Sequence, residues 1–194
     1  IDQLLSEGVS RFIFSLGYRH EVIESFLQEK YPALDYAIAL EEEPLGTGGA
    51  IQLACKKAVT KNVIVTNGDT MFKANLKEMM SFHLSHRSVC TLALKPMKNF
   101  DRYGVVETDK DSHILSFREK QYYDAGLING GIYALDTAAF LQLPFPEKFS
   151  FEKDYLEKYV GIIKMMGIVQ DAYFIDIGIP EDFARANVEM NGAP

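Results

Sequence analysis

Several devices of enzyme chemistry are missing from this 194-residue chain. No Gly-x-Ser-x-Gly elbow supplies a serine nucleophile. The four histidines, His20, His83, His86 and His113, form no HExxH and meet no cysteine at zinc spacing. His83 and His86 are expected on a wet helix face. Two cysteines, Cys55 and Cys90, fit no metal or redox motif and read as reduced core thiols. No run approaches the ~18 unbroken apolar residues of a membrane helix, and no leader is expected ahead of the first helix. A soluble cytoplasmic protein with no membrane partner is expected. Positive charge is also short: the net charge is −7, with Lys and Arg scattered, which sets the chain against polymeric nucleic acid. An acidic protein that holds an anionic ligand needs local lysines, helix termini or a divalent cation, so metal-binding carboxylates are expected.

What the chain does have is the stretch Glu41-Glu42-Glu43-Pro44-Leu45-Gly46-Thr47-Gly48-Gly49-Ala50-Ile51, where a hydrophobic strand runs into glycines and on into a helix. The glycines remove Cβ atoms at the turn, and the helix N-terminus offers free N–H groups and partial positive charge. A nucleotide is the natural guest, and a tight turn with no ligand is the alternative. Ile51 stands where a dinucleotide fingerprint needs its third glycine, and no Gly-Lys-Ser/Thr follows to make a P-loop. The acidic run Glu41–Glu43 reads equally as a solvated face.

Apolar runs at Arg11–Leu16 and Asn62–Val65 suit strands buried on both faces of a parallel sheet. Between them Glu21–Gln28 carries Val22, Phe26 and Leu27 at helical spacing, and Ile51–Val59 continues the glycine stretch as a helix. Lys77–His86, with Met79, Met80, Phe82 and Leu84, reads as a helix before the strand Val89–Leu94. After residue 96 the alternation breaks: Tyr103–Glu107, Ile114–Arg118 and Ile128–Leu135 read as antiparallel strands. Phe149–Tyr159 and Glu181–Met190 close the chain as helices. The expectation is an α/β fold, Rossmann-like, with a mostly parallel mixed sheet flanked by helices. One domain is expected, with a cut near residue 95 between two halves. Ile1–Glu7 reads as the last turns of a helix, so the fold is expected to start in mid-course.

Asn67-Gly68-Asp69-Thr70 falls at the C-terminal end of the 62–65 strand, where open parallel sheets place ligands. Asp176, in Tyr173-Phe174-Ile175-Asp176-Ile177-Gly178, ends another short apolar strand. Two such aspartates suffice for a nucleotide-bound Mg²⁺, although each alone could be a turn or cap residue. Glu119-Lys120 ends the 114–118 strand, and Asn129-Gly130-Gly131 interrupts an apolar one. Glycines inside a strand mark close approach of a ligand or another chain. Mixed donors and acceptors of this kind suit sugar hydroxyls, while singly Glu119 and Lys120 read as surface charges.

Read together and in order, PLGTGGAI, NGDT, RYGVVE, the EK pair, LINGGIY and FIDIGIPED resemble the sugar-1-phosphate nucleotidyltransferases over essentially the whole chain. DRYGVV, SFREK, INGGIY, EKFSFE and YFIDIGIPED look most like the D-glycero-D-manno-heptose 1-phosphate guanylyltransferase branch, and the mannose-1-phosphate branch shares several of these motifs. The resemblance implies a nucleotide-diphospho-sugar transferase fold, with nucleotide bound by residues 1–95 and sugar by 96–194. It implies Mg²⁺ on Asp69 and Asp176. It places Glu41, Pro44, Gly46, Thr47 and Gly68 along the nucleotide, and Tyr103, Gly104, Glu119, Lys120 and Asn129 around the sugar phosphate. Glu41 favours guanine, whose N1–H and exocyclic amine offer two donors where uracil offers one. The implied reaction is attack of a sugar 1-phosphate oxygen on the α-phosphorus of GTP, expelling pyrophosphate, in nucleotide-sugar synthesis for cell-surface polysaccharide. Lys120 joins the two aspartates in neutralising charge. A homo-oligomer is compatible with the family.

One motif of that family, a glycine-rich GGxGTRL loop followed by a Pro-Lys pair, is expected upstream of the first helix and is absent from the 194 residues. A catalytically silent sugar-nucleotide sensor is therefore the second expectation.

Overall fold

The computed structural model describes residues 1–191. In chain order its elements are α1 (Asp2–Ser6), β1 (Arg11–Leu16), α2 (His20–Lys30), β2 (Asp35–Leu40), α3 (Gly46–Cys55), β3 (Asn62–Thr66), β4 (Thr70–Phe72), α4 (Leu76–His86) and β5 (Cys90–Phe100). There follow β6 (Val106–Thr108), β7 (Ile114–Phe117), β8 (Tyr123–Asp136), α5 (Thr137–Leu141), a π-helical segment Phe151–Glu157, β9 (Met165–Val169), β10 (Phe174–Asp176) and α6 (Pro180–Asn191). The mixed α/β class expected from the strand and helix patterns is what forms, with strands paired in both senses. The chain builds two compact units, Ile1–Val63 with Asp136–Tyr159, and Ile64–Leu135 with the segment from Val160 onward. It crosses between them three times, after Val63, Leu135 and Tyr159.

In the first unit, β1 and β2 lie parallel from Arg11↔Asp35 to Leu16↔Leu40, with α2 as the crossover that parallel neighbours require. Of the apolar residues that mark α2, Leu27 is buried while Val22 and Phe26 remain exposed. Helix α3 packs on β1, β2, α5 and the π-helical segment. Its floor is an aromatic cluster in which Phe140 meets Phe151 and Tyr155 edge-on and Phe145 stacks on Phe149 at 4.3 Å.

The second unit is built on a four-stranded sheet of order β3-β8-β5-β9, in which β5 runs antiparallel to β8 and parallel to β9. Leu92, Ala93, Leu94, Ile128, Ala134 and Leu135 are fully buried there. Two antiparallel pairs, β4 with β10 and β6 with β7, complete the unit. Helix α4 covers β5 and β9, and Asn75 caps its first turn by accepting from Glu78 N at 2.9 Å. Its buried face is Leu76, Met79 and His83, while Leu84 is exposed. His83 is therefore not on a wet face: its Nδ1 lies 2.9 Å from Thr91 Oγ1 inside the unit. The period of three and four carries the histidine round to the sheet side, and Thr91 supplies the polar partner a buried ring needs. Cys55 and Cys90 are both buried, and burial pushes the Cys55 thiol up to about 12.

Other expected boundaries shift for local reasons. Helix α3 begins at Gly46 and ends at Cys55, so the glycines form its first turn and do not precede it. Tyr103 and Gly104 lie outside β6, which starts at Val106. The expected helix Phe149–Tyr159 is π-wound and starts at Phe151, after Ser150 takes the Lys153 N–H as its cap.

Candidate active site

The first unit supplies one group of the expected residues. Glu41 follows β2, and its Oε2 accepts the Leu45 N–H at 3.1 Å, closing the turn that launches α3. Its Oε1 lies 3.4 Å from the Ser15 hydroxyl. The carboxylate is thus held at the rim of a cavity of about 410 Å³ lined by Gly17, Tyr18, Glu41, Glu42 and Pro44. A carboxylate has about four acceptor positions, so one backbone N–H leaves room for a donor edge in that cavity. Pro44, Gly46 and Thr47 are exposed, although the Thr47 hydroxyl already accepts from Phe151 N at 2.9 Å.

The glycines here serve a different neighbour from the one their spacing suggests. A Cβ on Gly48 would lie 2.2 Å from the Phe149 ring, and one on Gly49 would lie 2.4 Å from the Glu147 carbonyl. Gly48 N donates to Phe149 O at 3.0 Å, and Phe149 N donates back to Leu45 O at 3.0 Å. The close approach is made by the chain's own 147–149 segment, a contact that local spacing cannot distinguish from a ligand. Gly68 is the contrasting case, since a side chain there would meet nothing within 4 Å.

The second unit gathers the remaining residues. Asp69 precedes β4 and Asp176 ends β10, where Asp176 pairs with Thr70. The Ile177 N–H donates to Asp69 O at 2.9 Å, so both aspartates stand at the same end of this antiparallel pair. Asp69 is exposed, with the Thr70 hydroxyl 3.3 Å from its Oδ1. Asp176 is more tightly held: Oδ1 accepts Gly178 N at 2.8 Å and Oδ2 accepts the Tyr103 hydroxyl at 3.2 Å. Burial, and then the charge of Asp176, push the Tyr103 phenol up to about 12, so it stays protonated and donates. The Tyr103 ring meets Phe174 edge-on at 5.8 Å, which fixes its reach.

The two Asn-Gly motifs meet. Between Leu92↔Tyr133 and Leu94↔Asn129 the β5–β8 register slips, and the extra residues of β8 form a bulge at Gly130-Gly131. Gly131 takes φ +73°, a left-handed conformation that costs glycine little, and its carbonyl receives Asn67 N at 3.1 Å. The bulge thereby seats the loop that carries Asp69. Asn129 spans it, its Oδ1 accepting Gly131 N at 3.1 Å and its Nδ2 donating to the Tyr133 hydroxyl at 2.8 Å. Gly104 lets the neighbouring chain in as well, since a Cβ there would lie 2.3 Å from Arg118 O. Glu119 and Lys120 follow in the exposed loop between β7 and β8.

Spacing did not single out Arg102 or Asp182. Arg102 pairs through Nη1 with Asp182 and places Nη2 3.9 Å from Asp176 Oδ2. Their only signal was position, inside the DRYG and IPED motifs. Among the described residues no group of three or more His, Cys, Asp and Glu side chains could hold a metal ion. Two carboxylates at one strand end with acceptor positions to spare still fit a hard divalent cation, which takes one or two protein carboxylates and completes its shell with phosphate oxygen and water. No helix among the described residues is long and apolar enough to cross a membrane.

The chain is 46% identical over 187 residues to the D-glycero-alpha-D-manno-heptose 1-phosphate guanylyltransferase of Aneurinibacillus thermoaerophilus, covering 96% of this chain and 81% of the relative. It is 40% identical to the protein of the same description from Campylobacter jejuni, with 94% and 80% covered. The crystal structure of HddC from Yersinia pseudotuberculosis complexed with GMP-PN superimposes with a TM-score of 0.87 at 36% identity, covering 97% of this chain and 82% of that one. The model of the nucleotidyl transferase family matches residues 1–192, and with these identities it establishes that the chain belongs to that family.

Proposed function

We propose that this protein transfers GMP from GTP to D-glycero-alpha-D-manno-heptose 1-phosphate, giving GDP-heptose and pyrophosphate. The observation that carries the proposal is the placement of Asp69 and Asp176 at the same end of the β4–β10 pair, in a chain 46% identical to an enzyme of that description. Mg²⁺ is the proposed cation, with Asp69 and Asp176 as its protein ligands; it would neutralise charge on the triphosphate.

Each residue has work suited to its chemistry. Glu41 accepts from guanine N1–H and the exocyclic amine, its carboxylate already aimed by Leu45 N. Pro44, Gly46 and Thr47 lie along the nucleotide, and Gly68 leaves space for it. Lys120 meets the sugar phosphate as a point charge. Glu119 accepts from sugar hydroxyls, and Asn129 offers the Nδ2 hydrogen that Tyr133 does not use. Gly104 admits the backbone that leads to both Glu119 and Lys120, and Tyr103 keeps Asp176 in place. The sugar phosphate is an anionic nucleophile, so no covalent protein intermediate is required. Alignment and charge neutralisation carry the reaction. The product would serve cell-surface polysaccharide synthesis in the cytoplasm.

The deciding experiment measures pyrophosphate release by the intact protein with Mg²⁺, each of four nucleoside triphosphates, and heptose or mannose 1-phosphate. Turnover with GTP and heptose 1-phosphate is expected. Turnover with mannose 1-phosphate instead would move the substrate, and GTP binding without turnover in any pair would make the protein a sensor. Glu41→Gln keeps an oxygen for Leu45 N but removes the charge, so preference for GTP over UTP should fall by about tenfold or more, the worth of one charged hydrogen bond. An unchanged ratio of kcat/KM values would leave Glu41 with only its turn-closing role.

A further inference from the structure

Arg102 is tied to two aspartates on unequal terms. Its Nη1 is paired closely with Asp182, in the first turn of α6, where a carboxylate also suits the helix N-terminus. Asp182 is well covered, its side chain 13% exposed, and it also holds Arg185 at 3.1 Å. The other guanidinium nitrogen stands 3.9 Å from Asp176 Oδ2, within electrostatic range but beyond hydrogen-bond distance. Asp176 does not need Arg102 for its orientation, because Gly178 N and the Tyr103 hydroxyl already fix both oxygens. What Arg102 adds is charge, close to a carboxylate whose remaining lone pairs it leaves free.

We propose that Arg102, anchored by Asp182, acts as counter-ion to Asp176 and keeps divalent metal off the site until nucleotide brings it. The inference rests on the reading that Asp69 and Asp176 hold the metal. Without nucleotide, the guanidinium balances Asp176 and repels a second cation. A triphosphate carries enough negative charge to outweigh that repulsion, so metal enters with GTP and not ahead of it. The anchor matters because a guanidinium released from Asp182 could close on Asp176 and occupy the lone pairs.

The test titrates Mn²⁺, a paramagnetic stand-in for Mg²⁺, into the intact protein and follows the free-ion resonance, with and without GTP and with no sugar phosphate. The expected result is weak binding to the wild-type protein alone and tight binding with GTP. Arg102→Gln should bind Mn²⁺ about tenfold more tightly in the absence of GTP, the effect of removing one positive charge a few ångströms from a divalent ion in a wet site. Arg102→Lys should behave as wild type. A variant damaged in its folding would bind more weakly, so tightening separates the charge role from a structural one. Asp182→Asn, which frees Arg102, should weaken binding without GTP below the wild-type level. Unchanged or weaker binding in Arg102→Gln overturns the inference, and so does unchanged binding in Asp182→Asn. If the wild-type protein with GTP takes up no Mn²⁺, or Asp176→Asn takes it up normally, the metal reading itself fails. Intact uptake that Asp176→Asn abolishes, beside an indifferent Arg102→Gln, removes Arg102 alone.

Discussion

Replacing Asp176 or Asp69 by asparagine should lower Mg²⁺-dependent turnover by about a thousandfold or more, the scale of losing a preorganised charge-stabilising group. The fold should survive both changes. In Asp176→Asn the new amide keeps one oxygen for Gly178 N, and the Tyr103 hydroxyl can rotate to accept from its NH₂ group. Asp69 is exposed, and the bonds that hold its loop run through backbone, from Ile177 N to Asp69 O and from Asn67 N to Gly131 O. Melting temperatures within a few degrees of wild type, beside lost pyrophosphate release, are the expected pair of observations. Full activity in either variant would remove that aspartate from the metal site.

The second large effect is on stability. Gly49→Ala places a Cβ 2.4 Å from Glu147 O, in the 147–149 segment, and 2.8 Å from Leu45 Cβ, in the turn that starts α3. Neither can yield cheaply, because Leu45 O and the Gly48 N–H are bonded to Phe149 on each side of the contact. Phe149 in turn is stacked on Phe145 over the aromatic cluster. Overpacking of this kind costs about 2–3 kcal/mol. For a chain of this length that is roughly 4–12 °C in Tm, read by calorimetry. Since the same turn carries Glu41 and Leu45, KM for GTP should rise as well. A Tm equal to wild type would mean that the 147–149 segment moves away freely.

Some of this protein was legible in its sequence. The strand Arg11–Leu16 and, to within a residue, the strand Asn62–Thr66 and the helix Leu76–His86 follow from apolar runs and from helical spacing, signals that act within a few residues. The strand-end placement of Asn67-Gly68-Asp69 and of Asp176 was legible as well, because each follows a short apolar run. The glycines of the Gly46–Gly49 stretch and of Asn129-Gly130-Gly131 also announced that something approaches closely.

What approaches was decided by tertiary structure. At Gly48 and Gly49 it is residues 147–149, almost a hundred positions away, and at Gly131 it is the Asn67 loop. His83 reads as a surface residue in the sequence and is a core one in the fold because Thr91 stands opposite to receive it. Arg102 and Asp182 acquire meaning only when α6 is laid beside the 101–104 loop. Local sequence sets which conformations a segment prefers, through sterics and hydrogen bonds a few residues long. Which segments meet is set by burial and pairing over the whole chain, and the environment of Asp176 is of that second kind.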